Sequence, residues 1–493
     1  MAQNPLDAVI GFFSPATARD RMIARRQMQA AMNYDAATQG RRAYGWKTPA
    51  TSADSAASAT RARLRYLSRD FIRNRAIASR AQEVVTSNVV GTGIVPSVSG
   101  GATKRDAKRA QEIIDRHFGT TAIDAQGVHD LAGLQAIIVN TIFSDGEVLV
   151  RRRLKSGRFA GQLVTPFRVE LLEVDYLDQS LTSSGQNRVV EGIEYGPTGE
   201  VVAFHVYDAH PGDLSYWGRK ALTSTRVPAS EMALIARRDR PGQFRGVPWL
   251  APVMLHLGEL SDYREAQILK QRMAALLAGV VTTTDDAAGP ASALAPLGAL
   301  EPGALVGLPP GQDIKWTDPP KVDGFADFTA DTDRQIAAGL GITYEALTGN
   351  LTGVNFSSGR MGRMEMDRNV ERWQALVVAQ FCRLVEKWTH EAERLVPDNV
   401  SGRGTWSLDW TPPRRALIDP TKEIPALRTA VDAGFLSRAR VQRQLGVNPE
   451  TVRAERADDL KKDKDAGLPP PPQDTGAAGA APDPGPVVSP DDL

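Results

Sequence analysis

Two short stretches hold the residues best placed to do chemistry. In FSDGEVLVRRR, residues 143–153, Asp145 and Glu147 stand two apart, as residues on one face of a strand do, and LLEVDYLD, residues 171–178, adds Glu173, Asp175 and Asp178. Carboxylates converging from adjacent strands could hold Mg²⁺ for phosphodiester cleavage, with Arg151, Arg152 and Arg153 holding phosphate. The same residues also read as a turn at Asp145 and Gly146 followed by solvated or salt-bridged sheet edges, and no Lys or His stands at a spacing that suggests a base.

Other motifs of catalysis fail on inspection. No lysine follows a glycine anywhere, so the phosphate loop GxxxxGK[ST] is absent, and so is the G-x-S-x-G elbow. HEAER at 390–394 begins like a zincin helix but has Arg394 where the second histidine must stand, so His390 reads as a surface residue. DAHPGD, 208–213, is turn chemistry, which makes His210 a loop residue and not a ligand. The single cysteine, Cys382, excludes an internal disulfide or a Cys-based zinc site, fits a reducing cytosol and reads as a small buried hydrophobe. No catalytic residue, metal or cofactor is expected.

The elements that would carry these residues follow from periodicity. Lys and Arg total 59 against 58 acids over 493 residues, but residues 1–80 hold 14 basic and 5 acidic residues, which makes a basic arm on a mildly acidic body. Residues 1–60 read as that arm, with an Arg-rich helical stretch and a partly ordered Ala/Ser/Thr linker. Residues 61–90 have helical spacing, 104–144 hold two more helical patterns, and a β-rich region follows, with a hairpin around GPTG at 196–199. An α+β domain is expected over 61–246. Residues 246–279 read as one long helix, with Pro248 in its first turn and Leu250, Val253, Leu257 and Leu260 along one stripe. Short β-like pieces, GVVTT, GALVGL and DIKW, make 280–322 a small insertion before a second helix ending at Gly339 and Gly341. Helix 358–395 places Met361, Met364, Val370, Trp373, Val377, Phe381, Leu384 and Trp388 on one face, and a short helical segment spans 421–446. The remainder, rich in Pro, Gly and acid, reads as disordered. No apolar run reaches the 18 or so residues of a membrane span, and the N-terminus lacks the basic region of a signal peptide.

Between the last two long helices lies ALTGNLTGVNFSSGR, residues 346–360, with no acid, His or Cys and one terminal Arg360. Such a loop is either a surface connector or a surface past which a polyanion slides without sticking. Asn350, Thr352, Asn355, Ser357 and Ser358 can hydrogen-bond phosphates briefly without the grip of cations, and Gly349, Gly353 and Gly359 let the backbone shift. Glu259, Asp262 and Glu265 on the preceding long helix would repel phosphate if they faced the same lumen.

The chain resembles the tailed-bacteriophage portal proteins of the lambda family. The matching stretches are spread over most of residues 8–395 and include AVIGFFSP, GRRAYGWKTP, LSRDFIRNRAIASRAQEVVTSNVVGTGI, FSDGEVLVRRR, NRVVEGIEYGPTGEVVAFHVYDAHPGD, RPGQFRGVPWLAPVM, LEPGALVGLPPGQDIKWTDPP and GLGITYEALTGNLTGVNFSSGRMG. The resemblance implies a non-catalytic portal fold assembled as a dodecameric ring at one capsid vertex of the virion, built in the host cytoplasm. It implies passage of double-stranded DNA during packaging and ejection, and contacts with the terminase large subunit, head-completion or adaptor protein, major capsid protein and scaffold, but no membrane. On that plan 1–60 is the N-terminal arm, 61–246 wing, 247–279 and 323–340 stem helices, and 280–322 a β-containing clip. Residues 341–358 then hold the tunnel loop, with Asn350, Thr352, Gly353, Asn355, Ser357 and Ser358 in the DNA channel. Residues 359–414 are a kinked helix returning to the wing, 415–455 a helical crown and 456–493 a disordered tail. Two rivals remain: a Mg-dependent nuclease of a packaging or recombination system, and a scaffold without a DNA-sized channel.

Overall fold

The computed structural model describes residues 49–101, 103–154, 165–213, 222–275, 279–283, 312–316, 324–393, 406–413, 417 and 419–469, with isolated positions between 14 and 47. The chain divides into units 1–56 and 57–493. The Arg-rich stretch of the expected arm lies largely outside the described residues. Where a linker was expected, Ala53–Ser58 forms a short helix, α1, as its alanines favour.

Residues 61–90 form two helices rather than one, α2 (Arg61–Asn74) and α3 (Ala76–Val89). Arg75 breaks them with extended backbone, φ −122° and ψ 117°, and its guanidinium lies 4.3 Å from the centre of the Phe71 ring. Strand β1 (Val95–Gly100) leads to the two expected helices, α4 (Lys104–Phe118) and α5 (Leu131–Asp145). Helix α5 stops at Gly146, whose φ of 88° is cheap only without a Cβ.

The strands β2 (Glu147–Leu154), β3 (Phe167–Leu172), β4 (Ser183–Ser184), β5 (Asn187–Val190), β6 (Ile193–Tyr195), β7 (Val201–Tyr207), β8 (Ser224–Pro228) and β9 (Met232–Ala236) make two antiparallel sheets, ordered β3-β2-β9 and β4-β5-β6-β7-β8. The expected hairpin is β6–β7, with a register shift at Glu194/Tyr195. Its first half is itself a hairpin, β5–β6, turning on Glu191 and Gly192 at φ 50° and 80°. A small core lies between the two sheets, with Leu149, Val174, Ile193, Phe204 and Met232 buried in it.

The long helix is shorter than expected: α6 runs Met254–Ala275, with turns over 249–253. Pro252 explains the late start, since it has no N–H to give and restricts the residue before it. The apolar stripe nevertheless stands, with Leu250, Val253, Leu257 and Leu260 all buried in the main core. Strands β10 (Gly279–Thr283) and β11 (Gln312–Trp316) pair antiparallel, as GVVTT and DIKW suggested; GALVGL lies outside the described residues. Helix α7 (Phe325–Leu340) ends on left-handed Gly341, and α8 (Tyr344–Thr348) on left-handed Gly349.

Helix α9 (Phe356–Val377) passes through a π turn, Val378–Cys382, into α10 (Arg383–Glu393). The π turn interrupts the α-helical hydrogen bonding where a kink was expected. Val370, Trp373, Val377, Phe381 and Trp388 are buried as periodicity required, but Met361 and Met364 are 74% and 51% exposed, with nothing among the described residues covering the first turns of α9. Cys382 is buried, and burial pushes its thiol well above the ordinary range. His390 is half-buried against Trp406, 4.1 Å between ring centres, and not a surface residue. Strand β12 (Trp406–Thr411) returns to pair with β1.

The last described elements are α11 (Pro420–Asp432), α12 (Arg438–Gln444) and α13 (Pro449–Asp465). Disorder was expected from 456, yet 456–465 is helical. Asn448 caps α13, Pro449 stands in its first turn and Lys462 pairs with Asp458 one turn back at 2.7 Å. The whole is α+β.

Candidate functional site

Of the five carboxylates that suggested metal chemistry, four are held by arginines. Arg61, Arg65 and Arg69 recur every fourth residue of α2 and so share one face. Arg65 Nη2 donates to Asp175 Oδ1 at 2.7 Å, and Arg69 donates to Asp145 (Nε to Oδ1, 2.9 Å), to Asp175 Oδ2 at 2.7 Å, and lies 3.1 Å from Glu173 Oε2. Tyr66 Oη adds a hydrogen bond to Asp175 at 3.1 Å. Burial alone would push the Asp175 carboxyl up; Arg65 and Arg69 outweigh it and hold that carboxyl below the ordinary range.

Asp145 and Glu147 do not share a site. Asp145 is the last residue of α5 and Glu147 the first of β2, and left-handed Gly146 turns them to different partners. Fully buried Glu147 takes a bidentate pair from Arg245, 2.7 and 2.8 Å, and a third hydrogen bond from Gly246 N–H at 2.8 Å. Arg245 also donates to Glu191 at 2.6 Å, and Arg61 pairs with the same carboxylate. That explains a non-glycine residue at φ 50°: Glu191 joins two buried guanidinium groups. Asp178 accepts from Tyr207 Oη (2.8 Å) and Ser180 N–H (3.0 Å). Arg152 and Arg153, which could have held phosphate, pair with Glu391 and Glu170 at 2.5 and 2.7 Å.

Glu173, Asp175 and His210 do converge, their ligand atoms within 4.8 Å of one another. Arg69 already stands on both carboxylates, and His210 Nδ1 accepts from Gly212 N–H at 3.0 Å, which leaves Nε2 to donate to Glu173 at 3.1 Å. A cation would have to displace a guanidinium and invert that tautomer. The cluster is an ion-pair frame joining α2 to the sheet.

The neutral loop is more structured than its composition suggests. Asn350 Oδ1 accepts from Thr352 N–H at 2.9 Å, and Gly353 has φ 78°. Asn355 caps α9 reciprocally with Ser358: its Oδ1 accepts from Ser358 N–H at 2.8 Å and its own N–H reaches Ser358 Oγ at 3.1 Å. The stretch outside both helices and the cap is therefore 349–354, with Ser357 and Ser358 in the first turn of α9. All six residues singled out there are exposed, and so are Leu351 and Phe356 beside them, at 69% and 58%.

Glu259, Asp262 and Glu265 are exposed on α6. Glu259 and Asp262 share a 4-3-4-3 stripe with Leu255, Ala266 and Leu269, the leucines 80% and 59% exposed. The flank and back of α6 meet α7: Arg264 donates to Asp333 at 3.1 Å, and Tyr263 packs on Phe325 and Phe328. The arginine ladder was visible in RARLRYLSRDF as a four-residue repeat; its acceptors were not. No helix among the described residues is long and apolar enough to cross a membrane.

A family model described as phage portal protein, lambda family, matches residues 39–374. The probable portal protein of Halomonas phage phiHAP-1 is 25% identical over 474 residues, covering 91% of this chain and 90% of that protein. The portal protein of Escherichia phage N15 is 22% identical over 484 residues, covering 87% and 89%. Among solved structures, a chain from the neck of an empty GTA particle has a TM-score of 0.46 at 16% identity, over 79% of this chain and 94% of that one.

Proposed function

This chain belongs to the lambda family of phage portal proteins, and on that premise we propose that twelve copies close into a ring at one capsid vertex and conduct double-stranded DNA without catalysing a reaction. The ring assembles in the host cytoplasm and stays in the virion. It takes the terminase large subunit during packaging and a head-completion or adaptor protein afterwards, and it seats on the major capsid and scaffold proteins. Residues 61–246 serve as wing, α6 and α7 as stem, the segment holding β10 and β11 as clip, 349–358 as tunnel loop and α11–α13 as crown.

The observation that carries this reading is the loop. It stands neutral and exposed between two capped helices, so it offers hydrogen bonds to a passing phosphate backbone and no cation to grip it. The carboxylate frame supports the non-catalytic half, since each acid that a nuclease would use already faces a guanidinium or hydroxyl.

Native mass spectrometry with end-on class averages of the purified protein tests the ring; about twelve copies around a hole wide enough for duplex DNA is the expected result. A chain that stays monomeric even with shell protein would sink it. For the loop, Thr352→Lys is the clean variant, because its side chain caps nothing among the described residues, whereas Asn355→Lys also removes the cap of α9. Rings should form and packaging should slow. Packaging at the normal rate would remove 349–358 from the channel. Cleavage of plasmid DNA that needs a divalent metal and is lost in Asp145→Ala would restore the nuclease.

A further inference from the structure

The helices α11, α12 and α13 have good ends and almost no interior. Ser437 caps α12 and Asn448 caps α13, and Gly434 and Gly446 make the left-handed turns between helices. Yet no residue of α11 or α12 is buried, and in α13 Pro449 alone is. Ile424, Phe435 and Leu460 are 53%, 82% and 50% exposed. A tie to the body is the ion pair of Arg443 with Asp409 at 3.0 Å, both residues about two-fifths exposed. Helices of 13, 7 and 17 residues are marginal in water by themselves, because most helical stability comes from packing an apolar face.

Charge indicates what covers them. Helix α12 carries Arg438, Arg440 and Arg443 and no acid, while α13 presents Glu455 and Asp459 one turn apart. Among the described residues Arg438 and Arg440 have no carboxylate partner, and Glu455 and Asp459 no cationic one. One segment thus displays unmatched positive charge, unmatched negative charge and exposed apolar side chains. A second copy placed head to tail satisfies all three and leaves the same surfaces open for the next copy.

We propose that residues 420–465 reach their stable fold only against the same segment of a neighbouring copy. Ile424, Phe435 and Leu460 lie in the apolar contact, and Arg438 and Arg440 of α12 face Glu455 and Asp459 of the next copy. The proposal rests on the ring reading and adds to it that folding of this segment and assembly are one event.

Hydrogen exchange on the full chain, at dilutions where native mass spectrometry shows monomer and where it shows ring, tests it. Amides of 420–465 should exchange freely in the monomer and slow by roughly tenfold or more in the ring, while those of α5 are equally protected in both. Arg438→Glu with Arg440→Glu should lower both the yield of ring and this protection, and Glu455→Lys with Asp459→Lys should do the same. All four together should restore both. A segment as protected in monomer as in ring, or unprotected in ring, overturns the proposal and leaves the ring standing; so does a fourfold variant no better than either double. A wild-type chain that never assembles overturns the ring and this inference together.

Discussion

At the scale of single residues, His117 is a group whose charging the fold resists. It is fully buried between Phe118 and Phe167, ring centres 5.5 and 5.0 Å away, and neither of its nitrogens has a hydrogen-bond partner among the described residues. Burial, with Arg168 adding repulsion, pushes its pKa down to about 4. Below the unfolded value of about 6.5 the unfolded chain binds the proton first, so this group's contribution is full above pH 6.5 and lost as pH falls toward 4. The loss amounts to about 3 kcal/mol. Urea midpoints taken from pH 7 to pH 4 should fall less steeply in His117→Leu than in the parent. Parallel slopes would mean that the imidazole finds a partner when charged. Arg69 makes the opposite case, a charge the fold requires. Arg69→Ala leaves Asp145 and Asp175 buried beside an absent cation and should cost about 3–5 kcal/mol in urea unfolding at pH 7. Arg69→Lys should recover little of it, since an ammonium lacks the planar fork that meets Asp145 through Nε and Nη2 while Nη2 also reaches Asp175.

At the scale of elements, two glycines let α5, β2 and the approach to α6 cross. A Cβ on Gly146 would stand 2.4 Å from the backbone of Val247, and one on Gly246 2.0 Å from the carbonyl of Gly146. Gly146→Ala should therefore fail to fold or unfold at markedly lower urea. Gly353→Ala, also at positive φ but in open space, should cost only about 1 kcal/mol. Equal effects would mean that the crossing relaxes. Periodicity made α4, α5, α7 and the β6–β7 hairpin legible, because each buries its own apolar face and ends on a recognisable residue such as Gly146 or Gly341. It missed the break at Arg75, which has no Gly or Pro to mark it, and overran the start of α6, where Pro252 outweighed the stripe. In the loop, Asn355 and Ser358 count as flexible by composition and act as a helix cap. The ion-pair frame could not be read at all beyond its arginine repeat, since Arg69 meets Asp145 and Arg245 meets Glu147 across long stretches of chain. Met361 and Met364 show the remaining gap: spacing marks a face as apolar but does not say what covers it.

At the scale of the whole molecule, if copies close into the proposed ring, the uncovered faces decide which carboxylates of α6 could face its lumen. Leu255 and Leu269 stand at 80% and 59% exposure on the stripe that holds Glu259 and Asp262. Burying one leucine contributes about 1.5–3 kcal/mol, and a ring repeats that gain at every junction. The stripe is therefore expected to be a seam between copies, and Leu255→Asp with Leu269→Asp should hold the chain as monomer in native mass spectrometry. Glu265 lies roughly 80° round the helix from Leu255 and one turn before Leu269, at the edge of that stripe, and of the three carboxylates it is the one best placed to face a lumen. In assembled rings Glu265→Lys should steepen the salt dependence of duplex binding, by about 0.9 in the log–log slope for each phosphate newly neutralised. Glu259→Gln with Asp262→Asn should instead change the yield of ring and leave that slope alone. If the amide variant altered DNA binding while rings formed normally, Glu259 and Asp262 would line the lumen and the exposed leucines would need another partner.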